Sequence, residues 1–216
     1  MRQVEVNGQN LGLEHLHFTL DPPTAELRAQ QMSNLMAEVY SDVFERELGL
    51  LPTRERPFYF EDASELVGLV DQSGRPGKDG RDIETVVAID LAENGQPSRE
   101  RLAVRGLLVA RKLQGLCTAD VHTSAEIYEI DITREMYGTK LAYYLLDSLV
   151  GIHPADPHIT ARIHSANKRS IRFHQKLGLK IDETAAPVTG GVYPGEWLTM
   201  TTTGQAFSTH LTNLLH

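Results

Sequence analysis

The chain has 216 residues, of which 41% are hydrophobic, and its 21 Lys and Arg against 29 Asp and Glu give a formal net charge of −8. This acidic balance argues against a nucleic-acid partner, because phosphate contacts draw on clustered Lys and Arg. Residues 1–10 are too polar for a signal peptide, and no apolar run reaches the roughly 18 residues of a membrane span. The single cysteine, Cys117, forbids an internal disulfide and suits a reducing compartment. We therefore expect a cytoplasmic protein with no membrane partner.

Near the N-terminus, residues 13–20 alternate between apolar and polar side chains, which predicts a strand. His15 and His17 would share one face of this strand, and two histidines at this spacing can bind a metal. No third ligand is recognisable nearby, so we expect no metal site.

A long helix is predicted next. Two prolines after Asp21 end the strand, Thr24 is a candidate N-cap, and apolar residues then recur at helical spacing to about Glu47. A loop with two prolines and three aromatic residues follows, and residues 63–70 predict a shorter helix. Residues 71–82 carry three glycines and a proline but no apolar side chain, which indicates a surface connector rather than a phosphate-binding loop.

The second half of the chain predicts strands that alternate with helices. The predicted strands are residues 83–91, 102–112, 126–132, 159–163, 180–184 and 196–202, and the predicted helices begin at Leu141, Asn167 and Gly204. Asn94-Gly95 is a hairpin signal between the first two of these strands. The last helix is amphipathic and would pack on the outside of the domain or on a second subunit, as in a homodimer.

The loop over residues 114–124 contains Cys117, Asp120 and His122. These residue types suggest a catalytic thiol with a base. However, their spacing within six residues of one loop gives poor geometry for a triad. We interpret the segment as an ordinary loop.

The turn between residues 133 and 140 connects a strand to a helix. Such a turn leaves unpaired N–H groups at the start of the helix, and these groups and the helix dipole favour an anion. Residues 137–142 are therefore either a phosphate site or an ordinary strand–helix junction.

The order strand, turn, helix, strand, helix over residues 125–179 resembles the GNAT superfamily of acyl-CoA N-acyltransferases. The family's turn pattern, Gln/Arg-x-x-Gly-x-Gly/Ala, falls here on Tyr137-Gly138-Thr139-Lys140-Leu141-Ala142. Tyr137 stands at the Gln/Arg position, and Lys140 stands where the family usually has Gly. The family's second motif is matched at Asn167, Ser170, Phe173, Lys176, Leu177 and Gly178.

This resemblance implies the fold and the cofactor. The expected fold is α/β, with a mixed, largely antiparallel sheet, helices on both faces and a splayed pair of parallel strands, in one domain over residues 1–216. The implied co-substrate is acetyl-CoA, with its pantetheine arm between the splayed strands and its pyrophosphate on the turn. The residues expected to contact it are Ile130, Ile132, Tyr137, Gly138, Thr139, Lys140, Leu141, Ala142, Asn167, Ser170 and Phe173.

The resemblance also implies direct transfer of an acetyl group to an amine. Glu126, in an Ala-Glu-Ile context found in some family members, is the expected general base, and Glu129 is its rival, expected on the opposite face of the strand. His174 stands where the family commonly has a tyrosine that protonates the leaving thiolate. An imidazolium with a pKa near 6.5 could do this work. The alternative for His174 is a packing role on a half-buried helix face.

Two other functions stay open at this point. The departures at Tyr137 and Lys140 allow a degenerate GNAT fold that binds CoA or another ligand without turnover. The acceptor is expected to be a primary amine of a small molecule, but a protein or peptide amine, or a longer acyl chain, is an alternative. The acidic net charge favours a cationic acceptor without separating these classes.

Overall fold

The computed structural model describes residues 1–16, 20–52, 81–100, 102–114, 123–149, 158–189 and 193–216. Its strands are β1 (Arg2–Val6), β2 (Gln9–Leu16), β3 (Arg81–Asp90), β4 (Val104–Gln114), β5 (Thr123–Ile132), β6 (His158–His164), β7 (Lys180–Ile181), β8 (Val188–Thr189) and β9 (Glu196–Thr202). Its helices are α1 (Pro22–Tyr40), which continues as a π-helix (Ser41–Glu47), a short 3₁₀ helix (Arg134–Met136), α2 (Leu141–Asp147), α3 (Lys168–Lys176) and α4 (Gly204–Leu215).

The described strands form one sheet in the order β1-β2-β3-β4-β5-β6-β9-β7, with β8 also paired to β9. Neighbouring strands are antiparallel except β5 and β6, which run parallel. The chain passes through α2 between these two strands, because a parallel pair needs a crossover connection that a tight hairpin cannot make. The predicted mixed, largely antiparallel sheet is confirmed.

Each face of the sheet has its own apolar core. On one face, α1 packs Met32 and Leu35 against Leu107 of β4. On the other face, α2 and α4 pack Leu141 and Phe207 into a cluster with the alternate side chains of the same strands. Successive side chains of a strand point to opposite faces, so β4 and β5 contribute to both cores.

The first helix begins with a cap that differs from the predicted one. Asp21, not Thr24, is the N-cap, and its Oδ1 accepts the backbone N–H of Thr24 at 3.2 Å. The two prolines that follow Asp21 occupy the first helical positions, where an N–H would have no intrahelical acceptor. The predicted extension to Glu47 is confirmed, although its last turns are π-helical.

Other predicted elements differ at their ends. β2 begins earlier than predicted, and β1, which precedes it, was not predicted. The predicted connector is wrong at its end, because Arg81 and Asp82 already pair with β4. The predicted strand over residues 180–184 is reduced to Lys180–Ile181. His17, residues 53–80 and the loop with Cys117, Asp120 and His122 lie outside the described residues. No helix within the described ranges combines the length and the apolar character needed to cross a bilayer.

Candidate active site

The site is built around a gap between the two parallel strands. β5 and β6 stop pairing at Ile127 with Ala161, although the strands continue to Ile132 and His164. A cavity of about 1540 Å³ opens beside the gap. This cavity is lined by the ends of β5 and β6 that do not pair with each other, the end of α1, the turn before α2 and one side of α3. The predicted splay of the parallel strands is therefore present.

A β-bulge in β5 lies at the edge of this gap. Ile127 pairs with Ala110 and Glu129 pairs with Val109, so β5 has one residue more than β4 at this point, namely Tyr128. An extra residue shifts the alternation of side chains by one position. The sequence carries a signal of this shift, because apolar side chains follow a period of two on either side of Tyr128 but not across it.

The bulge places the acidic side chains of β5 on one face of the sheet. Ile127 and Ile130 both pack towards the core under α2. Glu126, Glu129 and Asp131 therefore point to the α1 side, where Glu129 meets the end of that helix. The prediction that Glu129 lies on the opposite face from Glu126 is wrong, and the reason is the extra residue between them.

Glu129 and Asp131 form a pair of neighbouring carboxyl groups on the cavity wall. The Tyr40 hydroxyl donates to Glu129 Oε2 at 3.1 Å, whereas Asp131 Oδ2 is buried and has no hydrogen-bond partner among the described residues. Burial raises the pKa of Glu129 to about 7. Burial and the neighbouring charge of Glu129 raise the pKa of Asp131 well above its usual range. The pair therefore holds a shared proton near neutral pH.

Glu126, the predicted general base, is also buried on the cavity wall. Its Oε1 accepts two hydrogen bonds from Arg162 of β6, from Nε at 3.2 Å and from Nη2 at 3.0 Å. The carboxylate is thus tied to the facing strand, and one of its two oxygens is already occupied. Glu126 lies opposite Thr160, where β5 and β6 are still paired, so it sits below the opening of the gap.

The turn before α2 is the place where the sequence predicts an anion site. Gly138 has φ of 77°, a left-handed conformation that favours glycine, and a Cβ there would meet open space. The Thr139 hydroxyl donates to the Met136 carbonyl at 2.7 Å and accepts the N–H of Leu141 at 3.2 Å. Of the predicted cofactor residues in the turn, the cavity is lined by Tyr137, Gly138, Thr139, Lys140 and Ala142. Leu141 is buried in the core instead, and Thr139 already accepts its N–H.

Basic side chains gather at this end of the cavity, where its lining includes Lys140, Arg169, Arg172 and Lys176. The Arg169 guanidinium lies 4.0 Å from the centre of the Tyr137 ring, and its Nη1 donates to Glu47 Oε1 at 3.0 Å. These contacts link the turn, α3 and the end of the π-helix. Lys140 Nζ donates to the carbonyl of Leu215 at 2.6 Å. The ammonium group that was predicted to contact a phosphate is therefore hydrogen-bonded to the end of α4.

The start of α3 agrees with the predicted second motif. Asn167 is the N-cap, and its Oδ1 accepts the N–H of Ser170 at 3.0 Å. Asn167, Ser170 and Phe173 line the cavity, and Ile130 and Ile132 of β5 line it as well. The structure thus brings the predicted cofactor residues other than Leu141 to one cavity.

His174 is also on the cavity wall, but its charge differs from the expectation. Its Nδ1 lies 2.9 Å from the Ser170 carbonyl, which can only accept, so Nδ1 carries the proton and donates it. Burial lowers the pKa of His174 to about 4. The side chain is therefore neutral at neutral pH, with Nε2 as an acceptor, and it is more buried than the half-buried packing histidine considered from the sequence.

An aromatic cluster on the α1 side was missed by the sequence analysis. It consists of Tyr40, Phe44, His164, Tyr193 and Trp197, and all but Tyr193 line the cavity. The rings of Phe44 and Tyr193 stack with centroids 4.4 Å apart. Trp197 Nε1 is buried with no hydrogen-bond partner in the described part of the chain. No local sequence pattern could reveal this cluster, because it joins α1 to β9 across most of the chain.

The raised pKa of Glu129 predicts how the stability of the folded protein depends on pH. The folded-state pKa of Glu129 is about 7, above its ordinary value of 4.5, so the folded protein holds this proton more tightly than the unfolded chain. The free energy of unfolding should therefore fall as the pH rises between these two values. We expect Glu129→Gln, which cannot ionise, to melt about 5 °C above the wild type near pH 8 and close to it near pH 4. Thermal melts across this pH range, with the exposed Glu135→Gln as control, will measure the difference. A gap that does not change with pH contradicts the prediction.

Comparison with known proteins gives the fold its name. No protein-family model and no curated protein matches the sequence. Among solved structures, RimJ of Mycobacterium smegmatis in complex with CoA-disulfide has a TM-score of 0.57 at 13% identity, covering 99% of this chain and 91% of that chain. NAA60 of Arabidopsis thaliana in complex with acetyl-CoA has a TM-score of 0.54 at 12% identity, covering 89% and 98%. The PaiA N-acetyltransferase of Thermoplasma acidophilum in complex with coenzyme A has a TM-score of 0.52 at 14% identity, covering 89% and 99%.

These identities are low, so the similarity concerns the fold. It extends over about nine-tenths or more of both chains in each case. The gap between one parallel pair of strands agrees with the sequence resemblance. The chain therefore has the GNAT fold.

Proposed function

We propose that the protein is an acetyl-CoA-dependent N-acetyltransferase that transfers the acetyl group directly to a primary amine of a small molecule. The observation that carries this proposal is the cavity at the gap between β5 and β6, because its lining contains both basic and acidic side chains. The basic side chains belong to the glycine turn and α3, and three carboxyl groups belong to β5. A negatively charged donor and a cationic acceptor would each find complementary side chains.

The basic end fits the proposed cofactor. Arg169, Arg172 and Lys176 line it, and Gly138 keeps the backbone of the turn open to an approaching phosphate. We assign the pyrophosphate to this turn, with Lys140 able to join only if it leaves the Leu215 carbonyl. The pantetheine arm would lie between the strands against Ile130 and Ile132, with Asn167, Ser170 and Phe173 on the α3 side.

The carboxyl groups of β5 fit an amine. An acceptor amine is mostly protonated at neutral pH, so it must lose a proton before it can attack a carbonyl carbon. Glu126 and Glu129 both lie on this wall, and either is placed to be the proton acceptor. The aromatic cluster beside them gives an ammonium group ring faces as well as carboxylates.

The test of this function is release of free thiol from acetyl-CoA in the presence of amines. The panel is 1,4-diaminobutane, tyramine and a peptide with a free α-amino group, and acetyl-CoA affinity is measured separately by calorimetry. Turnover with the first two supports the proposal, and turnover with the peptide alone moves the acceptor to the protein class. Binding of acetyl-CoA without turnover would identify a GNAT fold that has kept its ligand and lost its reaction.

His174 gives a separate prediction about the leaving thiolate. A histidine with a pKa of about 4 is not an imidazolium at neutral pH, so it cannot supply the proton there. A thiol with an ordinary pKa near 8.5 is a good leaving group without such help. We expect His174→Phe to keep kcat within about threefold near pH 7.5, with acetyl-CoA affinity unchanged. A tenfold loss of kcat that His174→Tyr restores would return the acid role to this position.

A further inference from the structure

We infer that Glu129 takes the proton from the acceptor amine, with Asp131 and Tyr40 as the residues that position it. This inference rests on the proposed function and assigns a role within the same site. It differs from the assignment of the base to Glu126, which came from the sequence. It depends on the β-bulge, the opening of the gap and an unpartnered carboxyl oxygen.

Glu129 is better placed than Glu126 to meet the acceptor amine. Glu126 lies beside the paired part of β5 and β6, opposite Thr160. Glu129 lies beyond the last pair, next to the extra residue Tyr128, where the two strands have already parted. An acetyl group carried through the gap by a cofactor bound at the basic end would therefore arrive next to Glu129. Glu126 instead accepts two hydrogen bonds from Arg162.

Asp131, beside Glu129, has a buried carboxyl oxygen with no hydrogen-bond partner among the described residues. This oxygen is Oδ2, and Asp131 is 5% exposed and lines the cavity. Burying an acceptor without a donor is costly, so such atoms in a folded protein call for an explanation. An amine brings several N–H donors, and one of them would satisfy this oxygen while the nitrogen lies beside Glu129.

The carboxyl pair itself already holds a proton. Glu129 and Asp131 are neighbouring carboxyl groups, and burial raises the pKa of both. Two carboxyl groups this close do not easily ionise together, so one of them keeps a proton near neutral pH. The Tyr40 hydroxyl donates to Glu129 and stabilises its ionised form. A carboxylate that titrates near neutral pH is a stronger base than an ordinary one, which suits removal of a proton from an ammonium group.

Several titratable groups lie on the elements around Glu129. In the described residues they include Tyr40 from α1, Asp42 and Glu45 from the π-helix, Glu126, Tyr128 and Asp131 from β5, Arg162 and His164 from β6, and Tyr193. Asp42 is bound to Arg46, Glu45 to Tyr193 and Glu126 to Arg162. The Tyr40 hydroxyl donates to Glu129, and Asp131 is the carboxyl group that acts on its pKa.

In the proposed step, an ammonium group and the acetyl thioester of CoA give an amide, a thiol and one proton. The acceptor enters as R–NH₃⁺, and Glu129 takes one proton to give R–NH₂ and a neutral carboxyl. The nitrogen forms a bond to the acetyl carbon, and the bond from that carbon to sulfur breaks. The nitrogen loses a second proton, which ends on the CoA sulfur. Glu129 then returns its proton to solvent, so the products are the amide, the free thiol and one proton.

The experiment is the pH dependence of kcat/KM for the amine that turns over best. If Glu129 is the base, the wild-type profile rises through about pH 7. The Glu129→Gln variant has no base at this position and can use only amine that is already neutral. The rise of kcat/KM should therefore move up to the pKa of the amine itself, near 10 for an alkyl amine. We expect this variant to lose about 100-fold in kcat/KM near neutral pH and to recover part of it at high pH.

Three further variants separate the roles. Asp131→Asn has an amide that can donate to Glu129 and accept from the amine. In this variant the rise of kcat/KM with pH should therefore stay near its wild-type position. Asp131→Ala loses both and should move the rise upwards, because the half-buried Glu129 carboxylate is then less stabilised. Glu126→Gln should keep the rise, and the exposed Glu135→Gln is the matched control. Calorimetry with acetyl-CoA and thermal melts establish that each variant is folded.

The outcomes distinguish this inference from the proposed function. A wild type that acetylates amines while Glu129→Gln keeps both the rate and the rise overturns this inference alone. A rise that disappears in Glu126→Gln and stays in Glu129→Gln returns the role to Glu126. A wild type that acetylates no amine of the panel at any pH overturns both. If Glu129→Gln does not fold, unchanged profiles in both Asp131 variants count against the inference.

Discussion

Deletion of Tyr128 should reduce acetyl transfer by at least about 100-fold while leaving the protein folded. The deletion removes the one extra residue of β5, so that Ile127 and Glu129 become neighbours in a regular ladder with β4. The side chains of β5 before and after the deletion still point to the same faces of the sheet, because the register of β5 with β4 outside the bulge is unchanged. What changes is the local bend and twist that a bulge gives to its strand.

That bend lies where β5 leaves β6. A regular β5 would be free to continue pairing with β6 beyond Ile127 and to narrow the gap. A misplacement of reacting groups by about 1 Å is enough to cost about 100-fold in rate. Circular dichroism and a thermal melt will report the fold, and thiol release will report the rate.

The matched control is Tyr128→Ala, which changes the side chain and keeps the extra residue. We expect this variant to retain the pH profile of the wild type and most of its rate. If the deletion and the substitution lose activity equally, the phenol side chain matters rather than the bulge. If neither loses activity, the bulge does not shape the site.

The sequence predicted the frame of the site better than its chemistry. The strands over residues 126–132 and 159–163 have local apolar patterns, and the helix at Asn167 begins with a local cap, the hydrogen bond from the Ser170 N–H to Asn167. A cap or a period needs only neighbours in the chain. For this reason the two strands and the start of α3 were predicted from the sequence, whereas the splay of the strands was implied by the family resemblance.

The direction of Glu129 could not be predicted from a uniform period of two. It depends on one extra residue, and the position of that residue is set by pairing with β4. The charge of His174 depends on burial, which the sequence of α3 alone does not specify. The aromatic cluster depends on contacts between α1 and the segment from Tyr193 to Trp197. In each case the missing information is tertiary.

The basic end of the cavity gives the second large prediction. Arg169→Glu should raise the KM for acetyl-CoA by about 30-fold at low salt and leave kcat and the KM for the amine nearly unchanged. The guanidinium of Arg169 lies over the Tyr137 ring beside the proposed phosphate turn and is paired with Glu47. Reversing its charge removes a cation from the site and places a second carboxylate near Glu47, which repels an anionic cofactor.

The control for net charge is Arg134→Glu, since Arg134 is exposed on the 3₁₀ helix outside the cavity lining. Both variants change the protein's charge equally, so a long-range field would affect both, and salt would screen the two effects alike. A local contact predicts a large change for Arg169 only, and it predicts that the wild type loses affinity with salt more steeply than Arg169→Glu does. Equal changes in KM would show that the whole protein's field attracts the cofactor. A change confined to kcat would place Arg169 at the reacting groups rather than at the phosphates.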